Sequence, residues 1–128
     1  MSAFSNYLEN ELLDHTLGTA SYTAPGTVYL ALFTTDPTDA GTGTELSGDG
    51  YSRQAVTFGA ASGGSASNST EETFTASGGN WGTISHFGLF DAATSGNLLY
   101  HGALTASKDI SDGESLVFAI GDLTVSLD

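Results

Sequence analysis

The side chains here that could do chemistry are three histidines, one arginine and several crowded carboxylates. His86 and His101 flank the stretch 91–97, which reads as a hairpin loop. Reading the hairpin back from that loop places the two imidazoles nearly opposite each other on neighbouring strands. Two cross-strand imidazoles can start a metal site, but a closed site needs further ligands. No third ligand sits at a telling spacing, and Phe87 and Tyr100 beside them favour two histidines packed in a sheet. His15 stands on a separate helical stretch without a visible partner. No metal is expected.

Asp36, Asp39, Glu45 and Asp49 crowd one loop region. Oxygen-rich loops bind calcium, but the spaced D-x-D-x-D-G pattern is missing. With 15 acidic residues in 128, such clusters arise from composition alone. A solvated acidic loop is the expected state, and the same holds for Asp109, Asp112 and Glu114. Arg53 is the single arginine. Its default role is an ion pair with an acid of the preceding loop, better evidence for a fixed loop geometry than for stability. The alternative is a contact to an acidic partner subunit. There is no G-x-S-x-G elbow and no dinucleotide or phosphate-loop fingerprint. The glycine-rich SGGSASNS lacks the lysine a phosphate loop needs. A carboxylate pair acting on sugars cannot be placed from the sequence. No catalytic residue and no cofactor are expected, and the chain is not expected to be an enzyme.

The charge balance excludes further classes. Fifteen acidic and two basic residues give a formal charge of -13. Such a surface repels phosphate, so nucleic acid and anionic membranes are not expected partners. A cationic partner would be steered towards it. There is no cysteine, hence no disulfide and no thiolate metal site. The start MSAFSNYLENELLD has neither a basic region nor an apolar run of signal length, and no stretch approaches membrane-spanning length. Synthesis in the cytosol is expected.

The elements that must position these groups are mainly strands. Seventeen glycines with many Ser and Thr point to frequent turns. Residues 6–16 read as the one helix, with Asn6 as cap and Glu9 completing a capping-box pattern. Leu8 and Leu12, with His15 as a candidate third, form its stripe. Leu13 and Leu17 lie beside it, and Phe4 could continue it before the cap. Gly18 is the natural stop. So short a helix must dock, either covering an edge of the β core or gripping a neighbouring subunit; the first is the simpler reading.

In TVYLALFT, residues 27–34, both faces are apolar, which predicts a strand buried on both sides. Asp36-Pro37-Thr38-Asp39 fits a type I turn, and Glu45 with Leu46 could form a short edge pairing. Residues 51–58 read as a strand, and 59–69 as a flexible loop or spacer. A weak strand is expected at 70–75 and a turn at 77–80. In the strong strand 81–90, Ile84, His86, Gly88 and Phe90 should share one face, and Thr83, Ser85, Phe87 and Leu89 the other. An antiparallel return is expected at 98–104 and a turn at 108–114. Alternating strands should occupy 115–120 and 122–127, with Gly121 at a bulge or bend. The whole predicts a mainly β chain: a β-sandwich or small barrel of about seven or eight short antiparallel strands with one N-terminal α-helix. It reads as a single domain over 1–128, with a helical arm over about 1–18 and a β domain over about 27–128.

Three segments, taken in order, resemble a known family. They are SNYLENELLDH, then TVYLALFTTDPTDAGTGTELSGDGYSRQAVTF, then WGTISHFGLFDAATSGNLLYHGALTASKDISDGESLVFAIGDLTVSLD. Together they resemble small virion proteins of tailed bacteriophages, usually labelled phage tail fibre protein-like. The resemblance covers nearly the whole chain except 59–69, and Asp49 departs from the commoner small residue. It implies a structural virion component made in the host cytoplasm, without catalytic residues. A compact acidic β domain lacking repeats suits a capsid decoration (cement) protein bridging major capsid subunits; a tail-fibre or baseplate accessory is the alternative. Expected partners are the major capsid protein or tail proteins of the same phage, with homo-oligomerisation, a trimer first. The expected contacts are Phe4, Tyr7 and Leu8 of the arm and Asp36, Asp39, Glu45 and Asp49 of the acidic loop. Changes at Asp39 or Glu45 should then spare the fold. A carbohydrate-binding module displaying Trp81 and Tyr51 is a further alternative, and Trp81 exposed beside a groove would support it.

Overall fold

In the computed structural model the described residues are 2–127, so the outer bounds of the expected arm and β domain lie outside them. They form nine strands and one helix. The order is β1 (Ser2–Phe4), α1 (Asn6–Thr16), β2 (Val28–Phe33), β3 (Gln54–Val56), β4 (Ser65–Ser67), β5 (Glu72–Thr75), β6 (Gly82–Phe90), β7 (Leu98–Ile110), β8 (Ser115–Phe118) and β9 (Thr124–Ser126). Five strands make one antiparallel sheet in the order β1-β7-β6-β2-β3, while β4-β9 and β5-β8 form two-stranded sheets. The mainly β expectation holds, with a strand or two more than expected and, among the described residues, no closed barrel.

The strand 28–33 is buried on both faces from Leu30 onward. Leu30 and Leu32 enter the main core with Ile84, Phe87 and Leu89 of the same sheet. Phe74, Leu116 and Phe118, from the β5–β8 pair, close that core from across it. Ala31 and Phe33 point the other way, into a second cluster with Phe90 and Leu98. Both sides of the central strand are thus removed from water, at roughly 25 cal/mol per Å² of apolar surface.

Several boundaries differ from the sequence expectation. The helix cap is Ser5, not Asn6. Ser5 is held extended by its N–H on the Leu99 carbonyl, 2.9 Å, and by its hydroxyl on Leu98 O. Its Oγ also accepts the Leu8 N–H at 3.1 Å, so the helix starts one residue earlier than the Asn6–Glu9 pattern suggested. Phe4 does not extend the helical stripe. It lies in β1 opposite Tyr100, ring edge to ring face at 5.2 Å.

The faces of β6 are also reassigned. Ile84 shares the main core with Phe87 and Leu89, because the β6–β7 register breaks between Ile84 and His86. A bulge moves every following side chain to the opposite face. The return strand β7 runs on to Ile110, which is buried and pairs with Gly82, so the turn narrows to 111–114. The strand expected at 51–58 shrinks to Gln54–Val56 plus a bridge from Phe58 to Asn68. Inside the expected loop or spacer 59–69, Ser65–Ser67 pairs with β9.

Asn68 is the reason that segment is held. Its buried side chain donates to Thr70 O at 2.8 Å and Ala119 O at 3.0 Å. It accepts from the N–H groups of Gly121 at 3.1 Å and Leu123 at 2.9 Å. All four bonds of one amide are satisfied, which pins the β8–β9 connection to β4.

Candidate docking platform

One end of the sheet carries a platform built from the start of α1, the loop after β2 and the 91–97 hairpin. Arg53 is its centre. The guanidinium makes a two-pronged pair with Glu45: Nε to Oε2 at 2.9 Å and Nη2 to Oε1 at 2.8 Å. Nη1 donates to Ala92 O at 2.9 Å and Ser95 O at 2.7 Å. Its Cζ lies 3.7 Å from the Phe90 ring centroid. The arginine side chain is only 8% exposed, so this pair is desolvated and depends on its full bond set. Tyr51 completes it, donating to Glu45 Oε2 at 2.7 Å and accepting from Leu32 N at 3.1 Å. Burial, then the bond to Glu45, pushes the Tyr51 hydroxyl well above the usual tyrosine range.

The other half of the platform is held by His101. Its Nε2 meets Asp39 Oδ1 at 2.8 Å, and its Nδ1 lies 3.7 Å from Asp36 Oδ1. Asp39 O in turn accepts the Asn6 N–H at 2.8 Å, joining helix, loop and β7 in one network. The turn at 36–39 is not type I, since Thr38 has φ 60. The Asp36 carboxylate accepts the Thr38 N–H at 2.9 Å, and Pro37 O accepts the N–H groups of Thr42 and Gly43. A Cβ on Gly43 would lie 2.5 Å from Asp36 O, so this loop closes only over a glycine.

A cleft of about 400 Å³ opens between these elements, lined among others by Asn6, Tyr7, Asp39, Phe90 and Asn97. Burial, then the charges of Glu11 and Asp91, raise the Tyr7 hydroxyl above its ordinary value. The acidic residue that lines the cleft itself is Asp39, from the loop after β2.

The structure brings the expected arm and loop together but divides their residues. Asp36, Asp39 and Asp49 are exposed, and Phe4 and Tyr7 half-buried. Leu8 is 3% exposed and belongs to the interior. Glu45 is half-buried and taken up by Arg53 and Tyr51, so it is scaffold within the loop. Asp49 sits apart from the platform, its carbonyl accepting from Trp81 Nε1 and Ser77 N, each at 2.9 Å.

Trp81 is buried and Tyr51 bonded inward, so neither is displayed as a sugar-stacking surface. His86 lies opposite Ala103 and His101 opposite Gly88, a diagonal rather than a facing pair. Ser85 Oγ donates to Thr34 O at 3.0 Å, so it accepts from His86 Nδ1 at 2.8 Å. Among the described residues no group of three or more His, Asp or Glu could hold a metal ion. Sequence reasoning missed the carbonyls of Ala92 and Ser95 and the anchor His101. A lone arginine in an acidic chain signalled the first; nothing in the spacing signalled the second.

The fold and platform define a small antiparallel β protein whose polar groups serve to fix loops. The chain belongs to the family described as Podophage GP4 fiber I protein gp80, whose model matches residues 3–126. It is thus a member of a phage fibre-protein family and a virion component. No curated protein matches the chain.

Proposed function

We propose that this protein is a non-enzymatic structural subunit of a tailed-phage fibre assembly, fixed to neighbouring tail proteins through the Asp36–Asp39 face of the platform. The family match over residues 3–126 carries this reading. The platform supports it. A rigid, acidic, loop-built surface positions carboxylates without spending them on a catalytic constellation. His15, His86 and His101 each bond within the chain, to Tyr22 N, Ser85 and Asp39 respectively.

The family description favours the fibre over capsid decoration as the place of action. The compact acidic β fold keeps decoration of the capsid, bridging major capsid subunits, as the second reading. Copy number in purified virions, with the protein located by labelled negative stain, separates the two. A few copies at the tail support the fibre assignment. Hundreds of copies spread over the shell overturn it in favour of decoration. Sedimentation of the isolated protein tests the homo-oligomer, for which a trimer is the expected mass.

A further inference from the structure

Arg53 shows what this fold uses to seat a guanidinium. Its seat joins the Glu45 carboxylate, the hairpin carbonyls of Ala92 and Ser95, and the ring of Phe90 against Cζ. The cleft of about 400 Å³ shares Phe90 with that seat and repeats its parts, with no basic residue in its lining. Its carboxylate is Asp39, its hairpin oxygen is the side-chain amide of Asn97, and its half-buried ring is Tyr7. Phe90 and Leu98, both buried, supply its apolar part.

The two oxygen-bearing groups are held by their own chain and keep an acceptor in hand. Asp39 gives Oδ1 to His101 Nε2 at 2.8 Å, and its backbone carbonyl accepts the Asn6 N–H at 2.8 Å. Asn97 is fastened to Asp91 through its backbone N–H at 2.7 Å and its Nδ2 at 2.9 Å. Among the described residues, Asp39 Oδ2 and the Asn97 amide oxygen make no hydrogen bond. Both can only accept. The charges of Glu11 and Asp91 also act on the Tyr7 hydroxyl, and a cation laid on an aromatic face is attracted where an anion is not. A lysine ammonium is a point charge, whereas a planar guanidinium reaches acceptors on two walls while its face lies on a ring. A second copy cannot provide one: the chain's single arginine is Arg53, its side chain 8% exposed and committed to its own seat.

We propose that the cleft between the start of α1, the loop after β2 and the 91–97 hairpin is a socket for one arginine side chain of a neighbouring tail protein. The guanidinium bonds to Asp39 and Asn97 and lies against Tyr7. This rests on the docking reading above and names the group that the platform takes from its partner. Because folding already fixes Asp39 and Asn97, little side-chain ordering is left to oppose the contact.

The test titrates the isolated protein with N-acetyl-arginine methylamide and follows backbone amide shifts by NMR. The control probe is N-acetyl-citrulline methylamide, the neutral isostere. The arginine probe should move the amides of Asn6, Tyr7, Gly41 and Asn97 to saturation, and the citrulline probe should bind about tenfold more weakly. Asp39→Asn keeps an oxygen for His101 and the backbone carbonyl for Asn6, and should weaken the arginine probe about tenfold as well. Tyr7→Leu leaves the Asp39 loop untouched and should weaken it about threefold, so the proposal stays testable if the first variant melts early. Equal binding of the two probes overturns the socket in favour of a cleft for neutral polar groups. Shifts spread over the acidic surface, with none saturating at the cleft, reduce the effect to general attraction by a charge of -13 and overturn it too. No virion enters this experiment, so its failure leaves the tail-fibre reading standing, and that reading fails separately, by the copy-number measurement.

Discussion

The platform around Arg53 and the outer face of α1 treat their surfaces in opposite ways. In the platform a conspicuous polar group meets an answering group of its own chain: Arg53 has Glu45 and two carbonyls, His101 has Asp39. On the helix the conspicuous groups are leucines, and Leu13 and Leu17 stay exposed. Polar residues that look like contacts are thus partly scaffold, and apolar residues that look like core are surface. The difference predicts opposite responses to substitution. The largest response should come from Arg53→Ala. It leaves the half-buried Glu45 carboxylate without a countercharge, held by Tyr51 alone, frees the hairpin carbonyls and uncovers Phe90. Removing one partner of a buried pair costs about 3–5 kcal/mol. Urea unfolding should show that loss; a change below about 1 kcal/mol would mean the platform is only a surface ion pair.

Gly88→Ala comes next. Gly88 lies beneath the second cluster, and a Cβ there would stand 2.9 Å from a Phe33 ring carbon and 3.0 Å from Leu98 Cδ1. Phe33 and Leu98 pack in one cluster with Phe90, the ring over which Arg53 lies. Overpacking at such a site costs about 1–3 kcal/mol. A shift in thermal midpoint together with slower recovery of the Phe90–Arg53 contact by NMR would connect cluster and platform. An unchanged midpoint would show that the rings can move aside.

These cases show what was legible in the sequence and why. Two-sided burial of residues 30–33 was readable, because a strand with apolar residues at every position has no polar face to offer water. The helix was readable in extent but not in its cap, because Ser5 is selected by long-range bonds to Leu98 and Leu99. The faces of β6 were misassigned, because alternation holds only until a bulge and the bulge depends on how β7 pairs. Arg53 was readable as an ion pair with the preceding loop, because an acidic chain offers a lone guanidinium few other fates. His101 was not: its partner lies 62 residues away, and only the sheet register brings them together. Leu13 and Leu17 were placed beside the helical stripe with their exposure left open, because periodicity shows that a face is apolar and not whether anything covers it.

His101→Ala tests the other half of the platform with a smaller effect. It removes a charge-assisted bond to the exposed Asp39, worth about 1–2 kcal/mol. Asp39 O also holds the first turn of α1 through Asn6 N. Amide exchange at Asn6 should therefore accelerate in the variant while exchange in β2 keeps its wild-type rate. Equal acceleration at both would mean global loosening rather than local release.

Tyr51 supplies a pH test of the same network. Its folded pKa is raised, so the neutral phenol contributes stability in full below about pH 10. That contribution is lost as pH rises through the raised value, with a slope of at most about 1.4 kcal/mol per pH unit for one group. Tyr7, Tyr22 and Tyr100 are raised as well, so alkaline loss should be shared. Tyr51→Phe should flatten the decline above pH 10 by up to one proton's worth; an unaltered slope would place the alkaline sensitivity in the other three.

The smallest effect should come from Leu13→Ser with Leu17→Ser. If the outer helix face were part of the fold, truncating two leucines would cost several kcal/mol, as at a buried site. Both side chains already stand in water, Leu17 at 74% exposure and Leu13 at 56%. The expected change in unfolding free energy is within about 0.5 kcal/mol, the range for surface substitutions. Solubility should rise in the same variant, because a paired apolar patch has been removed. A loss of several kcal/mol would collapse the contrast with the platform and return these leucines to the core. A neutral result leaves them as residues the isolated fold does not use, and a helix face that the chain keeps apolar without using it is one kept for something outside the chain.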